Sequence, residues 1–187
     1  MTIPILTSRF NNDTWDENCK YREKNMTISC VYGSPQRIAE KVPLNSIVFV
    51  IEMNNQTNKI MGIGLIRNSI SIDKYYRVYN TGNYNRYVYM SKYHLDVDTI
   101  QAYNAELVAV FENILFKGKT HLKRGSGFTS IPEKLFKQKI CQDFVTHKQI
   151  TDEIIMMFKR YYSMDIDNID AKSGDKMKEK EELNIEN

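Results

Sequence analysis

A chain of 187 residues with 42% hydrophobic content carries enough apolar material for one packed core, and a formal net charge of +3 permits an anionic partner without requiring one. No run approaches the roughly 18 apolar residues of a membrane span. The opening Met1-Thr2-Ile3-Pro4-Ile5 lacks the charged and long apolar regions of a secretion signal, so an intracellular protein is expected, cytoplasm and nucleus not being distinguished. Cys19, Cys30 and Cys141 are scattered and form no C-x-x-C pair, which argues against a disulfide framework or a zinc site. The abundance of Asn, Lys, Ile and Tyr is a bias that often follows an AT-rich genome.

In chain order, Ile3 to Phe10 is predicted as the first strand. Asn12 or Asp13 then caps a short helix through Trp15 to Tyr21, because their side-chain oxygens can accept the free amides of a first turn. Met26 to Tyr32 alternates as a strand does. Ser34 and Pro35 read as the N-cap and first position of a helix that ends before Pro43.

The stretch from Asn45 to Ser69 is the centre of the pattern. An unbroken apolar run, Ile47 to Ile51, predicts a strand buried on both faces. The polar segment Asn54 to Lys59 is the turn of an antiparallel hairpin, and Ile60 to Ile66 is its second strand. Gly62 and Gly64 lie two apart, on one face, where missing side chains allow a bend or let another backbone or a flat ligand approach closely.

Tyrosine dominates Tyr75 to Leu95, with a turn at Asn80-Thr81-Gly82-Asn83 between two strands. In the second of these, Tyr87, Tyr89 and Tyr93 are expected on one face. Asp98 and Gln101 open a longer helix whose apolar stripe includes Ile100, Tyr103, Leu107, Val110, Phe111, Ile114 and Leu115. A basic, glycine-containing loop, Lys117 to Phe128, follows. Ser130 and Glu133 form a capping-box pattern ahead of Leu135, Phe136 and Ile140. Thr151 to Tyr162 is a last amphipathic segment, with Ile154, Ile155, Phe158 and Tyr161 on its apolar face. A domain over 1–165 and a mobile, mixed-charge tail over 166–187 are expected.

The chemistry-bearing motifs mostly fail on inspection. Gly118-Lys119-Thr120 looks like the end of a P-loop, but position 113 is Asn where that motif needs glycine. Gly125-Ser126-Gly127 has Ser130 where a dinucleotide fingerprint needs glycine. His94, His121 and His147 have no metal-ligand spacing. No nucleophile lies beside an evident base, so no catalytic residue, metal or cofactor is expected. What remains is a binding pattern. Lys117, Lys119, His121, Lys123 and Arg124 cluster among glycines whose amides can face an anion, next to aromatic strands. Phosphate contact through Lys119, His121, Lys123 and Arg124 with base stacking on aromatics fits that combination.

Thr14-Trp15-Asp16-Glu17-Asn18, then Val31-Tyr32-Gly33-Ser34-Pro35-Gln36-Arg37, then Ile47 to Ile51 and Lys59 to Ile66 resemble, in order, the EVE branch of the PUA-like superfamily, which is related to the YTH readers. The likeness covers roughly Ile3 to Ile72. It departs from the family at Pro43-Leu44-Asn45-Ser46, where a Gly-Asp turn is usual. The resemblance implies an α+β fold, a mostly antiparallel β-barrel with peripheral helices, and a pocket receiving a nucleobase, often a modified one. On that basis the pocket is expected among Trp15, Tyr32, Gly33, Ser34 and Asn54. Trp15 is then a stacking face or else a core plug, Ser34 a base-edge partner or only a helix cap, and Asn54 a pocket group or only a turn residue. The leading expectation is a non-catalytic module for nucleic acid, RNA ahead of DNA. The alternative is an interaction or structural protein, of viral type given the compositional bias, that uses the same scaffold.

Overall fold

A computed structural model describes residues 3–137 and 147–163, and the expected tail, 166–187, lies outside them, as does Ile140. The chain divides into two compact units after Thr151. The first unit is α+β. Strand β1 (Ile5–Phe10) leads into helix α1 (Asn12–Lys24), then β2 (Cys30–Ser34), the hairpin β3 (Ile47–Asn54) and β4 (Lys59–Arg67), β5 (Tyr87–Ser91), β6 (Tyr93–Asp96), helix α2 (Val97–Phe116), the two-residue β7 (Thr129–Ser130) and the short helix α3 (Glu133–Phe136). Helix α4 (His147–Tyr162) starts here and continues as the described part of the second unit, where the rings of Phe158 and Tyr162 stack at 6.1 Å.

Five strands form one sheet in the order β6-β4-β3-β1-β7, and β2 pairs with β5 in a separate two-stranded sheet. Among the described residues only β1 and β3 run parallel; the other ladders are antiparallel. Among the described residues the large sheet ends at β6 and β7, and its ladder does not close into a barrel.

The apolar run of β3 is central, as its composition demands: Val48, Phe49, Val50 and Ile51 are all fully buried. Strand alternation sends Val48 and Val50 to one face, where Leu6, Val31, Tyr32, Val88 and Tyr89 complete a core with the small sheet. On its other side the large sheet receives α2, which packs on β4 and β6. Each such side chain withdrawn from water contributes about 1.5–3 kcal/mol before the entropy of ordering it is subtracted.

Several sequence expectations give way to tertiary context. Helix α1 is capped by Asn11, whose side chain accepts the Thr14 amide at 2.8 Å, one residue ahead of the expected caps. No helix follows Ser34 and Pro35. Ser34 instead ends β2 and turns the chain by donating to the Gln36 carbonyl, while the Ile38 amide is taken by the Tyr89 hydroxyl at 3.1 Å. The expected strand over Tyr75 to Tyr79 is irregular backbone, and residues Gly82–Asn85 form a 3-10 turn. Tyr87, Tyr89 and Tyr93 do not share a strand, because the chain switches sheets after Ser91. Asp96, not Asp98, caps α2, and α2 breaks at Asn104, whose side chain accepts the Leu107 amide and recaps the second half. Tyr103 is exposed at that break, while the rest of the predicted stripe is buried. Ser130 is spent in β7, paired with Leu6, so the expected capping box with Glu133 does not form.

Candidate functional site

Two polar arrangements stand out, one open and one sealed. The open one is a cleft of about 280 Å³ where five chain segments meet: the end of β1 and start of α1 (Ser8 to Asn11, Thr14), Gly33 of β2, Asn55 at the hairpin tip, Tyr79 to Tyr84, and Gly125 with Gly127 of the basic loop.

Each wall is held by identifiable bonds. The hairpin tip is tied to β1 and α1. The Asn55 amide donates to the Phe10 carbonyl at 2.8 Å, the Asn54 side chain donates to Asn12 at 2.9 Å, and Gln56 accepts the Asn12 amide at 2.6 Å. The Asn55 side chain also donates to the Lys123 carbonyl at 2.7 Å, which draws the basic loop to the rim. The same loop is clamped by Arg9. Its guanidinium donates to the carbonyls of Leu122 at 3.3 Å, Gly125 at 3.2 Å and Gly127 at 2.9 Å, and to the Thr129 hydroxyl at 2.8 Å. Burial draws the Arg9 pKa below its ordinary value, so this cation is partly desolvated by the loop it holds. Gly125 and Gly127 have φ of +104° and +66°, backbone that side-chain-bearing residues rarely adopt. Phe128 anchors the far end, edge-on to Tyr32 at 6.0 Å and to Tyr89 at 5.2 Å.

The aromatic wall depends on Gly33. A Cβ there would lie 2.2 Å from the Tyr84 carbonyl and 2.7 Å from the Tyr79 ring, so only glycine admits the 79–84 segment this close. Buried Asn18 of α1 donates to the Val31 carbonyl at 2.6 Å and to the Tyr79 hydroxyl at 2.9 Å. Asn80 is bonded to Glu17, also on α1. Tyr79 and Tyr84 meet edge-on at 6.2 Å, and Tyr84 is 36% exposed at the mouth.

Of the residues expected to form a base pocket, Gly33 lines this cleft. Trp15 stands one residue beyond Thr14 and is half-buried behind the lining: its ring packs edge-on against Phe10 at 5.2 Å, with the Arg22 guanidinium 5.1 Å from its centroid. Tyr32 and Ser34 are fully buried. Asn54 is buried and serves the hairpin turn, accepting the amides of Gln56 and Thr57. Among the expected phosphate contacts, Lys119 and Arg124 are exposed, Lys123 is half-buried, and His121 accepts the Lys123 amide at 3.3 Å. Arg9, Phe10, Asn55, Tyr79 and Tyr84 were not singled out by sequence. Arg9 is one cation in a strand and Asn55 one of six adjacent polar turn residues, and neither carries a local signal.

The sealed arrangement lies on the core face of β3. Glu52, fully buried, accepts from the Tyr32 hydroxyl at 2.7 Å and meets His94 Nε2 at 2.9 Å. Burial alone would raise the Glu52 pKa, but His94, the field of Arg22 and the Tyr32 hydrogen bond outweigh it and hold the carboxyl below its ordinary value. Burial and the neighbouring Cys30 and Glu52 push the Tyr32 phenol well above its ordinary value, so it stays a donor. Gly62 and Gly64 make the space. A Cβ on Gly62 would lie 2.6 Å from His94 Nε2 and one on Gly64 2.0 Å from the Tyr32 hydroxyl. The space at these glycines is taken mainly by side chains of the same molecule rather than by a flat ligand, with the Leu95 carbonyl also close to Gly62.

Among the described residues no group of three or more His, Cys, Asp or Glu is placed to hold a metal ion, and no helix is long and apolar enough to cross a membrane. Compared with family models, with curated proteins and with solved structures, the chain matches none of them.

Proposed function

We propose that this is an intracellular, non-catalytic nucleic-acid-binding module of PUA-like, EVE-type architecture, whose cleft receives one nucleobase from a single strand. The observation that carries the reading is the composition of the cleft. Tyr84, exposed at the mouth and backed by buried Phe10 and Tyr79, lies across from a polar wall of Asn11, Thr14 and Asn55, and the rim is the basic loop held by Arg9. A flat, polar-edged ligand needs this pairing of π-faces with hydrogen-bonding groups, and its phosphates need nearby cations. The role foreseen for Trp15 passes to Tyr84, with Trp15 supporting Phe10 from behind. Lys119, Lys123 and Arg124 supply sequence-independent attraction for phosphate. Single-stranded RNA is the first candidate, because sequence-specific recognition of RNA targets splayed, unstacked bases.

The test is a binding screen with short single-stranded RNAs and DNAs, each with unmodified and methylated bases, on the wild type and on Tyr84→Ala. Base-dependent binding that weakens by about 1–3 kcal/mol in Tyr84→Ala, with the melting curve unchanged, is the expected result. Absence of binding to every oligonucleotide, or binding indifferent to Tyr84→Ala, would overturn the reading.

A further inference from the structure

A second groove, of about 240 Å³, lies beyond the 79–84 segment and includes Arg37, Lys74, Tyr75, Arg86 and Tyr87. We propose that it is a contact surface for a single-stranded phosphodiester chain, the continuation of the strand whose base occupies the cleft. The second half of that statement rests on the function proposed above; the first half stands on the groove itself.

The cations here are arranged to meet an anion. Arg37 and Arg86 lie 5.3 Å and 5.4 Å from the centroid of Tyr87, and Lys74 lies 5.2 Å from that of Tyr76. Among the described residues none of the three makes an ion pair. The adjacent acid, Asp73, accepts the Tyr76 hydroxyl at 2.6 Å. A guanidinium resting on a ring uses its face, so the N–H donors along its edge stay directed outward, in the geometry that suits phosphate oxygens. Beside them Tyr75 is 69% exposed, a large ring left in water that can serve as a stacking platform. Cationic edges interleaved with aromatic faces suit a strand that presents phosphates and bases in turn, whereas acidic side chains bring anions but no aromatic face to stack on the rings.

The groove and the cleft share a partition. Tyr79, Thr81 and Tyr84 face the cleft, and the flanking residues Tyr75 and Asn85 to Tyr87 face the groove. Buried Asn85 fixes this partition. Its side chain accepts the Val78 and Tyr79 amides, each at 2.9 Å, and donates to the Tyr79 carbonyl at 2.7 Å. A strand leaving the cleft over Tyr84 therefore meets a rigid second track one loop away.

Fluorescence anisotropy with a labelled RNA trinucleotide and a labelled 12-mer, at several salt concentrations, tests this. The proteins are the wild type, the triple variant R37A/K74A/R86A, Tyr75→Ala and Tyr84→Ala. All the groove substitutions fall on exposed side chains, and melting curves verify folding. Expected are wild-type binding of the trinucleotide by the triple variant, with the 12-mer weakened at least tenfold at low salt. The slope of log Kd against log salt should also fall by about 2, from three phosphates at about 0.7 each. Tyr75→Ala should weaken the 12-mer about fivefold or more. Unchanged 12-mer binding by the triple variant overturns the proposal, as does displacement of the 12-mer by polyglutamate as effectively as by unlabelled RNA. If Tyr84→Ala binds both probes normally while the triple variant is weakened, the groove stands and the base-in-cleft reading falls. A wild type that binds neither probe overturns both.

Discussion

His94 Nε2 lies 2.9 Å from Glu52 Oε2 across the position where Gly62 has no side chain. A carboxylate this deep in a β-core is tolerable only because a histidine and a tyrosine hydroxyl address its two oxygens.

Stability should depend on Glu52 in acid. Its folded pKa is depressed below the ordinary 4.5, so its contribution is fully present above that value. It is lost as pH falls further, through the folded pKa, where the buried group must take up a proton. Denaturant titrations across that range should show stability falling with pH in the wild type. In Glu52→Gln that pH-dependence should be diminished, with about 3–5 kcal/mol lost at neutral pH from breaking the buried pair. A Gln variant as stable as the wild type and with the same acid profile would refute the role given to this carboxylate.

The two hairpin glycines should be intolerant of even one methyl group. Gly64→Ala places a carbon 2.0 Å from the Tyr32 hydroxyl and 3.0 Å from Cys30 Sγ, and Gly62→Ala places one 2.7 Å from both Glu52 Oε2 and the Leu95 carbonyl. Each is expected to cost about 1–3 kcal/mol or more, the usual range for overpacking. Gly82→Ala is the control: the nearest atom is 3.9 Å away, and a change within about 0.5 kcal/mol is expected from thermal unfolding.

Arg9 should govern the order of the basic loop. Arg9→Ala removes the bonds to the carbonyls of Leu122, Gly125 and Gly127. A loss of about 1.5–3 kcal/mol is expected from charge-assisted bonds of this kind. Trypsin should then cleave after Lys119, Lys123 or Arg124 faster than in the wild type. Equal cleavage rates would show that the loop is held by something other than this clamp.

Lys123 and Arg124 should contribute affinity without sequence choice. With both changed to Ala, every bound oligonucleotide should weaken alike, and the salt slope should drop by roughly 0.7 for each phosphate that is no longer neutralised. Weakening confined to one sequence would assign these residues to base reading instead.

Local signals were enough for the hairpin. An unbroken β-branched run, a polar turn and a glycine-bearing second run are satisfied by one arrangement, and β3 and β4 adopt it with Val50 opposite Gly64. The stripe of α2 and the basic loop were legible for the same reason, since each rests on residues adjacent in sequence or one helical turn apart. Of the pocket residues expected from sequence, the cleft contains only Gly33. Phe10, Asn55, Tyr79 and Tyr84 come from segments far apart in the chain, and nothing local marks them as neighbours. Tertiary structure also decided what Ser34 and Pro35 begin. Their pattern favours a helix, but the Ile38 amide is bonded to Tyr89, 51 residues away, and the turn after Ser34 wins. Glu52 follows five apolar residues, and its partners are 20 and 42 residues distant. Composition and periodicity determined β1, α1, the β3–β4 hairpin and α2, because those preferences are local. Which side chains share a cleft or a buried charge network was settled by β1 running parallel to β3 and by the switch of sheets after Ser91, because such contacts form only when distant segments pack together.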